Sequence, residues 1–140
     1  MTFDLQRFVD AQSQTYDQAL AELRAGEKRT HWMWFVFPQL TGLGRSGMAQ
    51  RFAIPGLEEA RAYVGHPTLG RRLVESARAL TDLDVADPVA VLGSVDARKL
   101  QSSMTLFALA VPDEPVFREV LDHYFDGELD EGTTSRLSAG

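Results

Sequence analysis

Residues 30–47 read THWMWFVFPQLTGLGRSG. Both tryptophans of the chain and two of its eight phenylalanines fall within Trp32–Phe37. The block is short, continuous and aromatic and contains Val36, which suits a buried strand as well as a buried helix. The decision comes from outside it. A lone strand has no partner for its backbone N–H and C=O groups, and the segments on both sides repeat at helix spacing. The block is therefore predicted to be a short buried helix, capped by Thr30 and ended by Pro38, within an all-α fold.

Upstream, Leu5, Phe8, Gln12, Tyr16, Leu20 and Leu23 step by three or four. This stripe reads as one helix, or two broken near Ser13, with Gly26 at its C-terminal stop. Gln12 is its one polar member. Downstream, Pro55-Gly56 opens a helical stretch with Leu57, Ala60 and Val64 on one face. His66-Pro67 ends it and starts another, with Leu69, Leu73, Ala77 and Leu80 facing inward. Proline suits a first helical position because its missing N–H would be unpaired there anyway. Asp87-Pro88 repeats the device for a short turn ending at Gly93. Asp96 is placed to cap the following helix. Phe117, Val120, Leu121, Tyr124 and Phe125 form a last clear stripe, stopped by Gly127. The whole chain, 1–140, is expected to be a compact single-domain bundle of roughly six to eight short helices. The tail, 129–140, is expected to hold one turn and then fray.

Composition fits this fold. The chain has 140 residues, 44% apolar and 24% charged, enough for one domain with a core. It has no cysteine, so neither a disulfide framework nor a thiolate metal site can form. The start, MTFDLQRFVDAQ, carries acids where a signal peptide needs basic residues and then an apolar run. No apolar run approaches the length of a membrane span. A cytoplasmic location without membrane attachment is expected. Fourteen Lys and Arg against twenty Asp and Glu give a net charge of −6, which argues against non-specific nucleic-acid binding. Lys28, Arg29 and Arg45 are the place for a local basic patch.

Several words of the chain are long and unusual: Arg7-Phe8 and Ala11-Gln12, then Lys28 with His31-Trp32-Met33-Trp34-Phe35. Phe37-Pro38-Gln39, Gly42-Leu43-Gly44 and Ser46 follow. Further on come His66-Pro67, Leu69, Arg72-Leu73, Gly93, Asp96, Lys99-Leu100 and Ser102-Ser103-Met104-Thr105-Leu106-Phe107. In these the chain resembles the bacterial domain of unknown function 1810 family over nearly its whole length. The resemblance implies a compact, mostly helical single domain and brings no activity, cofactor or catalytic residue with it.

Candidate chemistry sits in two places. Gly42-Leu43-Gly44-Arg45-Ser46-Gly47 spells G-x-G-x-x-G, but the context of a dinucleotide fold fails. Pro38 to Thr41 separate the apolar run from the glycines, and no second strand with an acid at its end follows. What stays open is a plain loop, or an anion-binding loop formed by backbone N–H groups, Arg45 and a helix start near Ser46. His31 and Gln39 bracket the aromatic block, and two indole N–H groups need partners. That mixture describes a pocket for a planar ligand or a self-satisfied core.

The helix from Asp96 to Val111 is the second place. Leu100, Met104, Phe107 and Val111 make its stripe, with Asp96, Lys99 and Ser103 along one edge. Lys99 and Ser103 suggest a Ser–Lys pair, in which a desolvated lysine activates a hydroxyl. The plainer reading is an Asp96–Lys99 ion pair with Ser103 bonding back to a carbonyl. His31, His66 and His123 lack ligand spacing, so no metal site is expected. His66 reads as a residue at a helix start.

The leading expectation is a binder of a small anionic or nucleotide-like ligand, with no cofactor. Trp32, Trp34 and Gln39 would line the planar part, while Gly44, Arg45, Ser46 and Lys99 would hold charge. His31, Lys99 and Ser103 are the catalytic candidates should hydrolysis occur, with His31 as base. The alternative is a non-enzymatic protein-interaction module whose aromatic block is core. One further expectation joins the two places. His31 or Gln39 should lie within direct or one-water hydrogen-bonding reach of Asp96, Lys99, Ser102 or Ser103, because buried polar groups from separate segments meet to offset desolvation.

Overall fold

A computed structural model describes residues 3–139. Among the described residues the chain forms ten helices and no strand. The stripe at the start is two helices, α1 (Gln6–Gln12) and α2 (Tyr16–Ala25). The break at Ser13 has a local cause, since its hydroxyl donates to the Asp10 carbonyl at 2.8 Å. Gly26 ends α2 in the left-handed region, φ 75°, where a side chain would be strained. The aromatic block forms α3 (Met33–Val36), followed by α4 (Gly47–Arg51). Then come α5 (Leu57–Gly65), α6 (Leu69–Thr81) and α7 (Pro88–Leu92). The chain closes with α8 (Ser94–Ala110), α9 (Val116–Phe125) and α10 (Glu131–Ala139).

The count exceeds the six to eight helices expected by α4 and α10; α3, α4 and α7 are single turns of four or five residues. Helices this short do not persist on propensity alone; packing and caps hold them. The Asp87 carboxylate accepts the Val89 N–H at 3.0 Å, with Pro88 in the first turn. The His66 imidazole accepts the N–H groups of Thr68 and Leu69 at 3.1 and 3.2 Å, which makes it the expected helix-start residue. Here α5 and α6 approach so closely that a Cβ on Gly70 would lie 1.9 Å from the Val64 carbonyl oxygen.

The segment after Leu129, expected to fray, carries α10. Its anchors lie on α8, far away in sequence. Ser102 and Thr133 share a buried hydroxyl–hydroxyl bond of 3.0 Å. The Asp130 N–H donates to the Thr105 hydroxyl at 2.9 Å, and the Asp130 carboxylate accepts the Thr133 N–H and hydroxyl at 3.0 and 2.6 Å.

Helix α8 lies at the centre, packed against α5, α7, α9 and α10, while α6 packs on α2, α3, α5 and α9. The core runs through Phe8, Trp32, Phe37, Tyr63, Leu100, Phe107 and Phe117. Gln12, polar within its stripe, is buried because it acts as a hub. Its amide donates to the Phe35 carbonyl at 2.7 Å and to the Tyr63 hydroxyl at 3.0 Å, and its oxygen accepts from Arg72 at 3.3 Å. Burial raises the Tyr63 phenol well above its usual value, against the lowering effect of the Gln12 bond.

Candidate functional site

Two peptide stretches build the site. The first is the loop from Gln39 to Gly44. An isolated parallel bridge pairs Leu40 with Ile54: Ile54 N–H donates to the Gln39 carbonyl and Thr41 N–H to the Ile54 carbonyl, both at 2.9 Å. Gly42 has φ 95°, and the Arg136 guanidinium lies where its side chain would be. A Cβ on Gly44 would meet Ala49 Cβ at 2.5 Å, so glycine there lets the loop close onto α4. The second stretch is the first turns of α8. Gly93, φ 86°, precedes it without a side-chain cap, leaving the positive end of a 17-residue helix uncapped by side chains.

Between them lies a cavity of about 350 Å³ lined by Gln39, Leu43, Gly44, Ser94, Val95, Arg98 and Lys99. Behind it stands a charged cluster. Asp96 bridges Lys28 Nζ at 2.9 Å and Lys99 Nζ at 3.4 Å. Lys28 Nζ lies 5.1 Å from the Trp32 ring centroid, and Lys99 Nζ 4.9 Å from that of Trp34. Each ammonium faces an aromatic π-system, a stabilising arrangement.

The segment carrying Lys28 to Trp32 is fastened by Glu22, which is 5% exposed. Its carboxylate accepts Arg29 N–H (2.7 Å), Thr30 N–H (2.9 Å), the Thr30 hydroxyl (2.6 Å) and Trp32 Nε1–H (3.0 Å). Burial alone would raise its pKa. The bonds from Thr30, Arg29 and Trp32 outweigh burial and hold it down to about 2.

The expected site residues divide accordingly. Gln39, Gly44 and Lys99 meet at the cavity. Trp32 is wholly buried and its indole is satisfied by Glu22, so it belongs to the core and not to a ligand wall. Trp34 is half-buried under Lys99. His31 is exposed and does not line the cavity. Arg45 is exposed, as expected for a loop cation, but lies outside the lining. Ser46 uses its hydroxyl to cap α4, accepting Ala49 N–H at 3.0 Å. Thr30 serves Glu22 and does not cap α3. Asp96 sits in the first turn of α8 and pairs with lysines instead of capping.

The Asp96–Lys99 ion pair forms as the plainer reading had it. Ser103 does not bond back to a carbonyl. Among the described residues its Oγ is the buried side-chain polar atom without a hydrogen-bond partner, so the Ser–Lys pair is not formed either. The two sequence words are neighbours through Lys99 over Trp34 and Lys28 on Asp96. No direct hydrogen bond joins His31 or Gln39 side chains to Asp96, Lys99, Ser102 or Ser103 among the described residues. Ser94 and Arg98 escaped the sequence reading; the available signal was two adjacent cations, Arg98-Lys99, just inside a helix start.

No helix among the described residues is long and apolar enough to cross a membrane. No curated protein matches the chain. A solved structure is similar to it: the conserved hypothetical protein Rv1873 from Mycobacterium tuberculosis, 47% identical, with 97% of each chain covered and a TM-score of 0.95. The family described as protein of unknown function (DUF1810) matches residues 2–137, and the chain belongs to it.

Proposed function

We propose that the chain binds a small anion in the cavity between the Gln39–Gly44 loop and the start of α8. The observation that carries this reading is convergence on one cavity. Arg98, Lys99, Gln39 and Ser94 line it together, beside a helix N-terminus uncapped by side chains. Cations, neutral donors and a positive helix end together favour negative charge. A volume of about 350 Å³ is at the small end of ligand sites. Phosphate, a small phosphomonoester or a short carboxylate suits it. A stacked base does not follow, because Trp32 is core and Trp34 is covered by Lys99. The lining holds no histidine or carboxylate to serve as general base, so the reading is binding without turnover.

A protein-interaction module is the second reading. Val89 and Val95 favour it, at 50% and 67% exposure near the cavity end of α8. Singly exposed valines are ordinary on protein surfaces, so they carry less weight than the convergent donors.

Titration with inorganic phosphate, followed by amide NMR shifts, tests the anion site. Shifts are expected at Gly44, Ser94 and Val95. Arg98→Ala and Lys99→Met should each weaken binding about tenfold, the size of a lost charge-assisted hydrogen bond. His31→Ala should bind as wild type. Shifts confined to Arg45 and His31, or none, would overturn the reading.

A further inference from the structure

We propose that Lys28, which does not line the cavity, sets the cavity's charge through Asp96 and tunes it for a dianion. The inference rests on the anion-site reading above. Asp96 has two lysine partners on different sides. Lys28 holds the closer contact, 2.9 Å against 3.4 Å for Lys99. The Lys28 side chain is 8% exposed and Lys99 19%, so the Asp96–Lys28 contact is the drier of the two, and screening there is weaker.

Lys28 is also fixed in place. Its backbone N–H donates to the Val91 carbonyl at 2.8 Å. Its ammonium rests on Trp32, which Glu22 holds by the indole N–H. Lys99 is held as well, by α8 and by the Trp34 face; what sets Lys28 apart is its closer and drier contact with Asp96.

Charge sharing follows from this geometry. With Lys28 present, the Asp96 charge is largely met from behind, and the Lys99 ammonium is left to face an incoming anion. Without Lys28, Asp96 and Lys99 become a closed pair that presents little net charge. Arg98 lines the same cavity. Three cations against one carboxylate leave an excess of two positive charges, which matches a dianion such as phosphate or a phosphomonoester better than a monoanion. Lys28 is thus a positioning residue that acts on the ligand through Asp96.

The experiment is a double-mutant cycle on phosphate affinity at about pH 8, where phosphate is mostly dianionic. Lys28→Met should weaken binding at least about fivefold, and Asp96→Asn should match or exceed wild type. In Lys28→Met/Asp96→Asn, affinity should return to within about twofold of wild type, since Lys28 has no carboxylate left to neutralise. Lys28→Arg, which keeps the charge, should bind within about threefold of wild type and covers the case in which Lys28→Met misfolds. Acetate, a monoanion, should bind at least about tenfold more weakly than phosphate. Wild type that binds phosphate while Lys28→Met binds equally well overturns the proposal alone. So does a double variant as weak as Lys28→Met, which would mark Lys28 as merely structural. Wild type that binds no phosphate overturns the anion site and this proposal with it.

Discussion

Glu22→Ala should cost about 3–4 kcal/mol of stability, although Glu22 touches no ligand. The carboxylate receives five bonds, from Gln18, Arg29 N–H, the N–H and hydroxyl of Thr30, and Trp32 Nε1–H. Bonds to a charged acceptor contribute about 1.5–3 kcal/mol each, though not additively. Thr30 and Arg29 are exposed and can turn to water. The Trp32 indole is 0% exposed and cannot, so its orphaned N–H alone costs about 1–3 kcal/mol. Adding the loss of the remaining charge-assisted bonds gives the stated total. Glu22→Gln keeps the shape and one acceptor oxygen, which at the Oε1 place can still take the three N–H bonds from Arg29, Thr30 and Trp32, and should cost about 1–2 kcal/mol.

The same carboxylate makes stability depend on pH, with a definite sign. Its folded pKa, about 2, lies below its ordinary value of 4.5. A depressed carboxylate contributes its stability above the unfolded value and loses it as pH falls through the folded one. The window is therefore from about pH 5 down to about 2. The full gap corresponds to about 3 kcal/mol, which solvent screening just beneath the surface reduces to about 2. Urea midpoints followed by tryptophan fluorescence at pH 7, 5, 4 and 3 measure both effects. A loss under about 1 kcal/mol for Glu22→Ala at pH 7 would refute the reasoning. So would a Glu22→Gln variant that loses stability between pH 5 and 3 as steeply as wild type.

Two further outcomes are expected. Ser103→Ala should leave stability unchanged or raise it by up to about 1 kcal/mol, because it removes a buried hydroxyl that has no partner; a loss above about 1 kcal/mol in urea would reveal an undetected bond. Gly70→Ala should cost at least about 2 kcal/mol and shift the amide resonances of both α5 and α6, since its Cβ would lie 1.9 Å from the Val64 carbonyl oxygen. A near-neutral result would mean the two helices are not in such close contact.

How far the sequence could be read depended on how far each interaction reaches along the chain. Helix ends were legible at Gly26, His66-Pro67 and Asp87-Pro88 because the groups involved lie within a few residues of each other. Capping side chains were misjudged where a distant partner competed. Thr30 turned to Glu22, and Asp96 to Lys28. The tail, rich in Ser, Thr and Gly, looked frayed because its anchors Ser102 and Thr105 lie on another helix. Within the site, Gln39, Gly44 and Lys99 were legible as chemistry, while neighbours in the same words went elsewhere. Trp32 stands just before α3 with non-helical backbone angles, while Trp34 lies within its single turn, so one is buried and the other half-exposed. The cavity's charge was the least legible property. Lys28 and Lys99 read as cations and Asp96 as an acid, but their joint effect depends on which lysine each Asp96 oxygen faces. Oδ2 faces Lys28 and Oδ1 faces Lys99, so the acid that would have cancelled the cavity lysine is instead met by a lysine from the other side.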